Sequence, residues 1–283
     1  MKLSHARAAL FALALVAAVA NTGCINRIRA KNQLNEGARA YKAGHFKEAE
    51  DYFRRAKELD PEQKNTDFFI ARAIQSQYKP GVESNENKAV AQAAIEQYMK
   101  VLADNPNNEL AYSSIAYLYG ATGQDDKQLE WITKRANDPN APPDKRAAAL
   151  TVLASKKWNC SYTITEQTAN KKTVVGGTGA HVEYMKPKEQ KDFDQAKQCV
   201  TDGLKLAEQA ISLDVNNEQA WSYKTNLLLE MGKLDEMDGK ADQAKQDRDQ
   251  AAQAQKQTAK LSEENKKKKE EEEKAKAEKE KEG

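Results

Sequence analysis

Small, aromatic and proline residues recur along this chain at one interval, and that recurrence narrows the folds open to it more than any other feature. Ala49, Phe53 and Pro61 are separated by four and then eight residues, and Ala94, Tyr98 and Pro106 repeat the spacing. Residues 105–112 read N-P-N-N-E-L-A-Y and residues 214–221 read D-V-N-N-E-Q-A-W. The two blocks lie 109 residues apart, about three periods of 36. Each runs into an amphipathic helical pattern, with Ile115, Ala116 and Tyr119 in one and Leu227 and Leu228 in the other. Gly44, Gly123 and Gly232 fall at corresponding places, where a first helix would end. Self-similarity at this period means one supersecondary unit used repeatedly, each copy burying its apolar face only against its neighbours.

The units are helical. The chain of 283 residues holds 13 Gly and 7 Pro, too few for the many turns of a β-sandwich or barrel. Ala, Gln, Glu and Lys abound, and all are strong helix formers. The formal net charge of +2 excludes nucleic-acid binding driven by bulk charge.

Residues 35–61, N-E-G-A-R-A-Y-K-A-G-H-F-K-E-A-E-D-Y-F-R-R-A-K-E-L-D-P, resemble the tetratricopeptide repeat. Gly37 and Tyr41 stand in a first helix, Gly44 at the turn, Ala49, Phe53 and Ala56 in a second, and Pro61 after it. Small Gly37, Ala49 and Ala56 let two antiparallel helices approach, while Tyr41 and Phe53 fill the gaps. The resemblance implies an all-α fold: an α-solenoid of five helix pairs over residues 30–250, near 30–63, 64–107, 108–141, 142–216 and 217–250. The second and fourth pairs carry insertions, near 78–87 and 158–190. The fourth matches least, with Val215 in place of the proline and Gly203 where the first pair has Ala49.

The first insertion contains Pro80-Gly81, a turn signal, and reads as a surface loop. The second abandons helical period from Trp158 to Pro187. Segments 161–165, 172–175 and 181–184 are β-branched or alternating, with turns at Asn170-Lys171 and 176–179. They predict a hairpin or small three-stranded flap.

The first 23 residues read as an export signal. Lys2 and Arg7 precede an apolar run of 13 residues, 8–20, too short for the roughly 20 that span a membrane. Two cleavage readings stand. Ala18-Val19-Ala20 would release a soluble periplasmic protein beginning at Asn21. Thr22-Gly23-Cys24 resembles the end of a bacterial lipobox, with Asn21 where that family carries Leu, Val or Ile. The three cysteines, Cys24, Cys160 and Cys199, favour the lipobox: a lipidated Cys24 leaves an even pair. Residues 24–29 then form a linker. Ile25, rather than Asp, follows the cysteine, and the resemblance implies the outer membrane, facing the periplasm. A Cys160–Cys199 bond would pin the base of the flap; closing a loop of ~39 residues contributes roughly 3–4 kcal/mol on the chain-entropy argument. The alternative is two reduced, buried thiols.

Beyond Asp249 the sequence turns low in complexity. From 250 on there is no aromatic residue and only one large aliphatic, Leu261. Lys266–Lys269 precede Glu270–Glu273, so residues 251–283 read as a charged tail, a solvated helix grading into disorder that caps the last repeat.

No catalytic constellation emerges. His45 sits at a helix turn. His181 with Cys160 and Cys199 lacks metal-ligand spacing. Gly176-Gly177-Thr178-Gly179 is no phosphate loop, and G-x-S-x-G and H-E-x-x-H are absent. Carboxylates appear spread along solvated helix faces. We therefore expect no enzyme, no cofactor, no metal and no small-molecule substrate.

What remains is a surface. In tetratricopeptide proteins partners lie along the groove lined by first helices. The resemblance places Lys31, Leu34, Ala38, Tyr41 and Lys42 there from the first pair and Phe68, Arg72 and Gln75 from the second. Tyr117 comes from the third, Lys145 and Lys156 from the fourth, and Asn226 from the fifth. Cations mixed with aromatics suit an acidic or amphipathic segment. The carboxylate clamp of the chaperone-tail subgroup is not implied, since Leu34 and Ala38 occupy its places. The expected function is a binding scaffold among envelope proteins, similar to the repeat lipoproteins that accompany outer-membrane barrel or pilus assembly. The alternative is a periplasmic enzyme or enzyme subunit using 158–190 as a lid.

Overall fold

The computed structural model describes residues 24–176 and 179–282; the side chains of Gly176, His181 and residues 279–282 are not described. The export signal expected in 1–23, and Gly177 and Thr178 of the expected turn, lie outside the described residues. Ten helices are described: α1 (24–42), α2 (Phe46–Leu59), α3 (Thr66–Gln75), α4 (Asn85–Asp104), α5 (Glu109–Ala121), α6 (Asp125–Asn137), α7 (Pro143–Thr165), α8 (Gln190–Leu213), α9 (Glu218–Met237) and α10 (Ala241–Glu282). Between α7 and α8 lie a single 3-10 turn, Thr168–Asn170, and the strands β1 (Lys171–Gly176) and β2 (Gly179–Tyr184). The fold is all-α, ten described helices with one small β insertion, the class that the repeat implied.

The recurrent N-N-E blocks are helix punctuation. Asn105 and Asp214 cap the C-termini of α4 and α8, and their side-chain oxygens accept from the N–H of Asn107 (3.2 Å) and Asn216 (3.0 Å). Asn108 and Asn217 cap the N-termini of α5 and α9, accepting from the N–H of Ala111 and Ala220, each at 3.0 Å. Each block thus stops one helix and starts the next within four residues, holding helix ends whose backbone groups have no partner in the helix itself.

The chain forms two compact units, divided after Gln128. In the first, Phe53, Ile70, Ile74, Ile95, Tyr98, Ile115 and Leu118 are buried. Gly37 is required here: a Cβ on it would meet the Phe53 ring at 2.5 Å. In the second unit Ala154, Phe193, Val200, Leu227 and Leu234 form the core, with Trp158 and Tyr223 packed against them. A Cβ on Gly203 would meet Leu227 at 2.6 Å and the Lys157 Cβ at 3.1 Å, so α7 and α9 leave no room for a side chain at this position of α8.

Several expectations are corrected. Residues 24–29 are helical, part of α1, rather than an irregular linker. The first insertion ends earlier, because the Ser84 hydroxyl caps α4 by accepting from the Asn87 N–H at 3.1 Å. Residues 158–165 remain helical, and of the two forms expected for the insertion the structure has the hairpin, β1 paired with β2. Ser161 and Thr165 are wholly buried and bond to the Glu230 carboxylate, so tertiary contacts overrule their strand preference. Gly232 lies inside α9, facing the Ala244 carbonyl, and the turn glycine is Gly239, with φ +75°. Finally, α10 packs well past residue 250. Ala251, Ala254 and Leu261 are buried, and Asn265 donates to Glu218 at 2.9 Å.

Candidate partner-binding face

The two first helices α1 and α3 meet through polar side chains. The Tyr41 hydroxyl at the end of α1 lies 2.8 Å from the Ser76 Oγ, just past α3. Arg72, one turn earlier on α3, donates to the same hydroxyl at 3.4 Å. Burial pushes the Tyr41 phenol up, but the bonds to Ser76 and Arg72 and the guanidinium charge outweigh it and hold the group below its usual range. Tyr41 also packs edge-on against Phe46, with centroids 5.2 Å apart. Arg72 stays exposed, and its guanidinium carries more donors than the one bond to Tyr41 uses.

Tyr98 supports this face from beneath. It is fully buried in α4, and its hydroxyl donates to the Gln75 Oε1 at 2.5 Å. Burial, the largest influence, raises its phenol, against a bond to Ser114 of α5 that lowers it. One second-helix tyrosine therefore joins α3 to α5, and the Tyr98 that marks the repeat in sequence positions the face.

Phe68 is half-buried, stacked edge-on against Tyr98 at 6.1 Å. It lines a cavity of about 640 Å³ with Lys57, Lys64, Asp67 and Asp104, so it is a cavity wall more than an open contact. Lys31, Ala38 and Lys42 are exposed and Leu34 half-buried. Tyr117 on α5 is 48% exposed. It lies near Tyr78, whose hydroxyl donates to the Ala121 carbonyl at 2.7 Å. Lys145, Lys156 and Asn226 belong to the second unit; Lys145 pairs with Asp144 at 3.3 Å.

The second unit holds a charged cluster that sequence reasoning missed. Lys233 of α9 bonds to Glu166 at the end of α7 (2.8 Å) and to Glu230 (2.9 Å), and it lies 4.3 Å from the Tyr184 ring centroid. Glu166 also accepts from Tyr184 (2.8 Å) and Lys171 (3.1 Å), one residue from each strand. Burial alone would raise the Glu166 carboxyl; the bonds from Lys233, Tyr184 and Lys171 instead hold it at about 2. Lys233 is likewise kept above its usual range, because its two carboxylate partners outweigh its burial. Glu230 is 3% exposed, contrary to the expectation that all carboxylates line solvated faces. A lysine held charged and saturated with acceptors is neither nucleophile nor base. The cluster fastens the hairpin by both strands.

Cys160 and Cys199 are bonded, with Cα atoms 6.1 Å apart, joining α7 to α8 beneath the hairpin; Cys24 is exposed and unpaired. Among the described residues, no group of three or more His, Cys, Asp or Glu is placed to hold a metal ion. No helix among them is long and apolar enough to cross a membrane.

No family model matches the chain, and no curated protein matches it. Among solved structures it is similar to a TPR repeats protein from Bacteroides fragilis NCTC 9343, at 16% identity over 70% of this chain and 81% of that one, TM-score 0.44. It is similar to MamA from Desulfovibrio magneticus RS-1, at 14% identity over 81% and 96%, TM-score 0.35. A tetratricopeptide repeat protein from Parabacteroides merdae ATCC 43184 gives 14% identity over 82% and 97%, TM-score 0.34.

Proposed function

We propose that this protein is a non-catalytic scaffold of the bacterial envelope. It is exported, anchored through lipid on Cys24 to the outer membrane facing the periplasm, and captures an acidic or amphipathic segment of another envelope protein. The observation that carries the reading is the Tyr41–Ser76–Arg72 junction, which holds an exposed guanidinium between two successive first helices. Nearby acids are engaged elsewhere: Glu36 pairs with Arg39 at 2.7 Å and Asp67 with Lys57 at 2.7 Å. Lys42 and Arg72 therefore present a positive surface for a carboxylate-bearing chain. The anchor is supported by Gly23-Cys24 after the apolar signal core and by the pairing of the other two cysteines.

Arg and Tyr are the residue types that dominate interfaces, and truncating one such anchor costs about 2 kcal/mol or more. Tyr41→Ala with Arg72→Ala should abolish partner capture from detergent-solubilised envelope while circular dichroism stays unchanged. Deleting residues 262–283 should spare capture. If the tail deletion loses the partner and the double variant keeps it, the tail is the interaction surface and this reading is wrong. A mature N-terminus at Asn21 would refute the lipid anchor.

A further inference from the structure

The opening turns of α1 carry a surface that the partner-binding face does not use. Ala30 is fully buried and marks the inward side of the helix. At 100° per residue, Ile25 and Ile28 fall on the opposite side, beside Cys24. They are 48% and 64% exposed, large aliphatic side chains turned to water within two turns of the proposed anchor. Arg27 and Lys31 flank this strip on one side and Arg29 on the other; all three are exposed, and no ion pair holds them among the described residues. From Cys24 to Asn35 there is no acidic residue. The same helix side turns polar further along, at Asn32, Asn35 and Arg39, so the apolar strip ends where its distance from Cys24 exceeds about 10 Å.

Helix energetics do not account for this pattern. Once the chain is processed at Cys24 these cations stand in the first turns and oppose the helix dipole, and two exposed isoleucines there gain nothing by burial. An interface with lipid explains both, since apolar side chains enter the headgroup boundary to a depth of about 5–10 Å while cations meet anionic headgroups.

We propose that residues 25–31 form a second membrane contact, with Ile25 and Ile28 inserted at the interface and Arg27, Arg29 and Lys31 engaging anionic phospholipid. The proposal rests on Cys24 as the anchor, which makes the docking intramolecular and lets a weak contact suffice. Each cation near an anionic surface strengthens the contact about fivefold, so the three together favour the docked state by roughly a hundredfold. Docking lays the start of α1 along the bilayer.

The test uses the protein isolated from the envelope, reconstituted into phosphatidylcholine vesicles with and without phosphatidylglycerol, and hydrogen exchange of residues 24–31. In the protein processed at Cys24 the amides of 24–27 open the helix, have no partner within it and exchange fast in water; under the docked lipid they should exchange at least tenfold more slowly. The expected result is protection in the phosphatidylglycerol vesicles alone, removed by high salt. Arg27→Glu, Arg29→Glu and Lys31→Glu together should abolish it, and so should Ile25→Ser with Ile28→Ser. Equal exchange in both vesicles, or protection that persists in the charge-reversed protein, overturns the proposal. Protection that appears only when a protein partner is bound also overturns it and makes the strip a protein interface. Intact mass separates this proposal from the anchor it rests on. An acylated protein without lipid-dependent protection loses the contact and keeps the anchor. An unacylated protein that is still protected keeps the contact and loses the anchor.

Discussion

Replacing Lys233 by Met removes the charge that joins Glu166 to Glu230 while keeping the aliphatic stem beside the Tyr184 ring. The Glu166 carboxyl lies at about 2 against an ordinary 4.5, and each unit is worth 1.36 kcal/mol, so the whole shift corresponds to about 3 kcal/mol. The side chain is 22% exposed, and screening together with the shares of Tyr184 and Lys171 leaves roughly 1–2 kcal/mol to Lys233. Glu230, left buried without its cation, adds a further ~1–2 kcal/mol, less than the ~3–5 kcal/mol for breaking a fully buried pair because Ser161 and Thr165 still bond to it. The variant should therefore unfold about 2–4 kcal/mol more easily near pH 7. The sign with pH follows from the depressed carboxyl. Its stabilisation is fully present above the unfolded value of 4.5 and is lost as pH falls towards 2. The gap between native and variant proteins should thus narrow across that window. Urea unfolding read by tryptophan fluorescence isolates the effect, since Trp131, Trp158 and Trp221 all lie in the second unit. A gap of the same size near pH 7 and near pH 2.5 would refute the electrostatic account and assign Lys233 a packing role against the tyrosine rings.

Three further outcomes follow from the packing. Gly37→Ala should destabilise the first unit by about 1–3 kcal/mol despite alanine's better helix propensity, because Phe53 has no room to yield; thermal unfolding by circular dichroism measures it. Cys160→Ala with Cys199→Ala should cost about 3–4 kcal/mol in the second unit, and thiol labelling of the denatured, unreduced native protein should modify neither residue. Truncation after Leu261 should leave the unfolding midpoint within about 1 °C, because it removes only solvated residues, whereas truncation after Gln250 uncovers Leu228 and Trp221 and should lower it by several degrees.

What the sequence reveals is whatever acts within a few residues. The N-N-E blocks are legible because a cap bonds to an N–H three residues away, and Gly44 and Gly123 because left-handed backbone favours glycine at any such turn. The errors arise where distant residues overrule local preference. Ser161 to Thr165 reads as a strand by composition and is helical because Glu230, 65 residues further on, bonds to Thr165. Low complexity after Asp249 reads as tail. Yet alanines at 251 and 254 and one leucine at 261 suffice to keep α10 on α9, because small side chains on a close-packed face need little hydrophobicity to be buried.

The same distinction separates the two polar sites. Tyr41 and Arg72 are legible together because the repeat fixes their relation: each sits near the end of a first helix, and one period brings the helices side by side, so a 31-residue separation becomes a 3.4 Å contact. Glu166, Tyr184 and Lys233 obey no period. The insertion supplies one tyrosine, a helix end supplies the carboxylate, and the ammonium comes 67 residues later. In sequence each resembles the solvated residues around it. Only the fold removes water from them, and that removal turns an ordinary Glu–Lys pair, worth a few tenths of a kcal/mol on an open helix, into the fastening of the hairpin. A repeat therefore exposes the face along its first helices to sequence analysis and conceals whatever its insertions build.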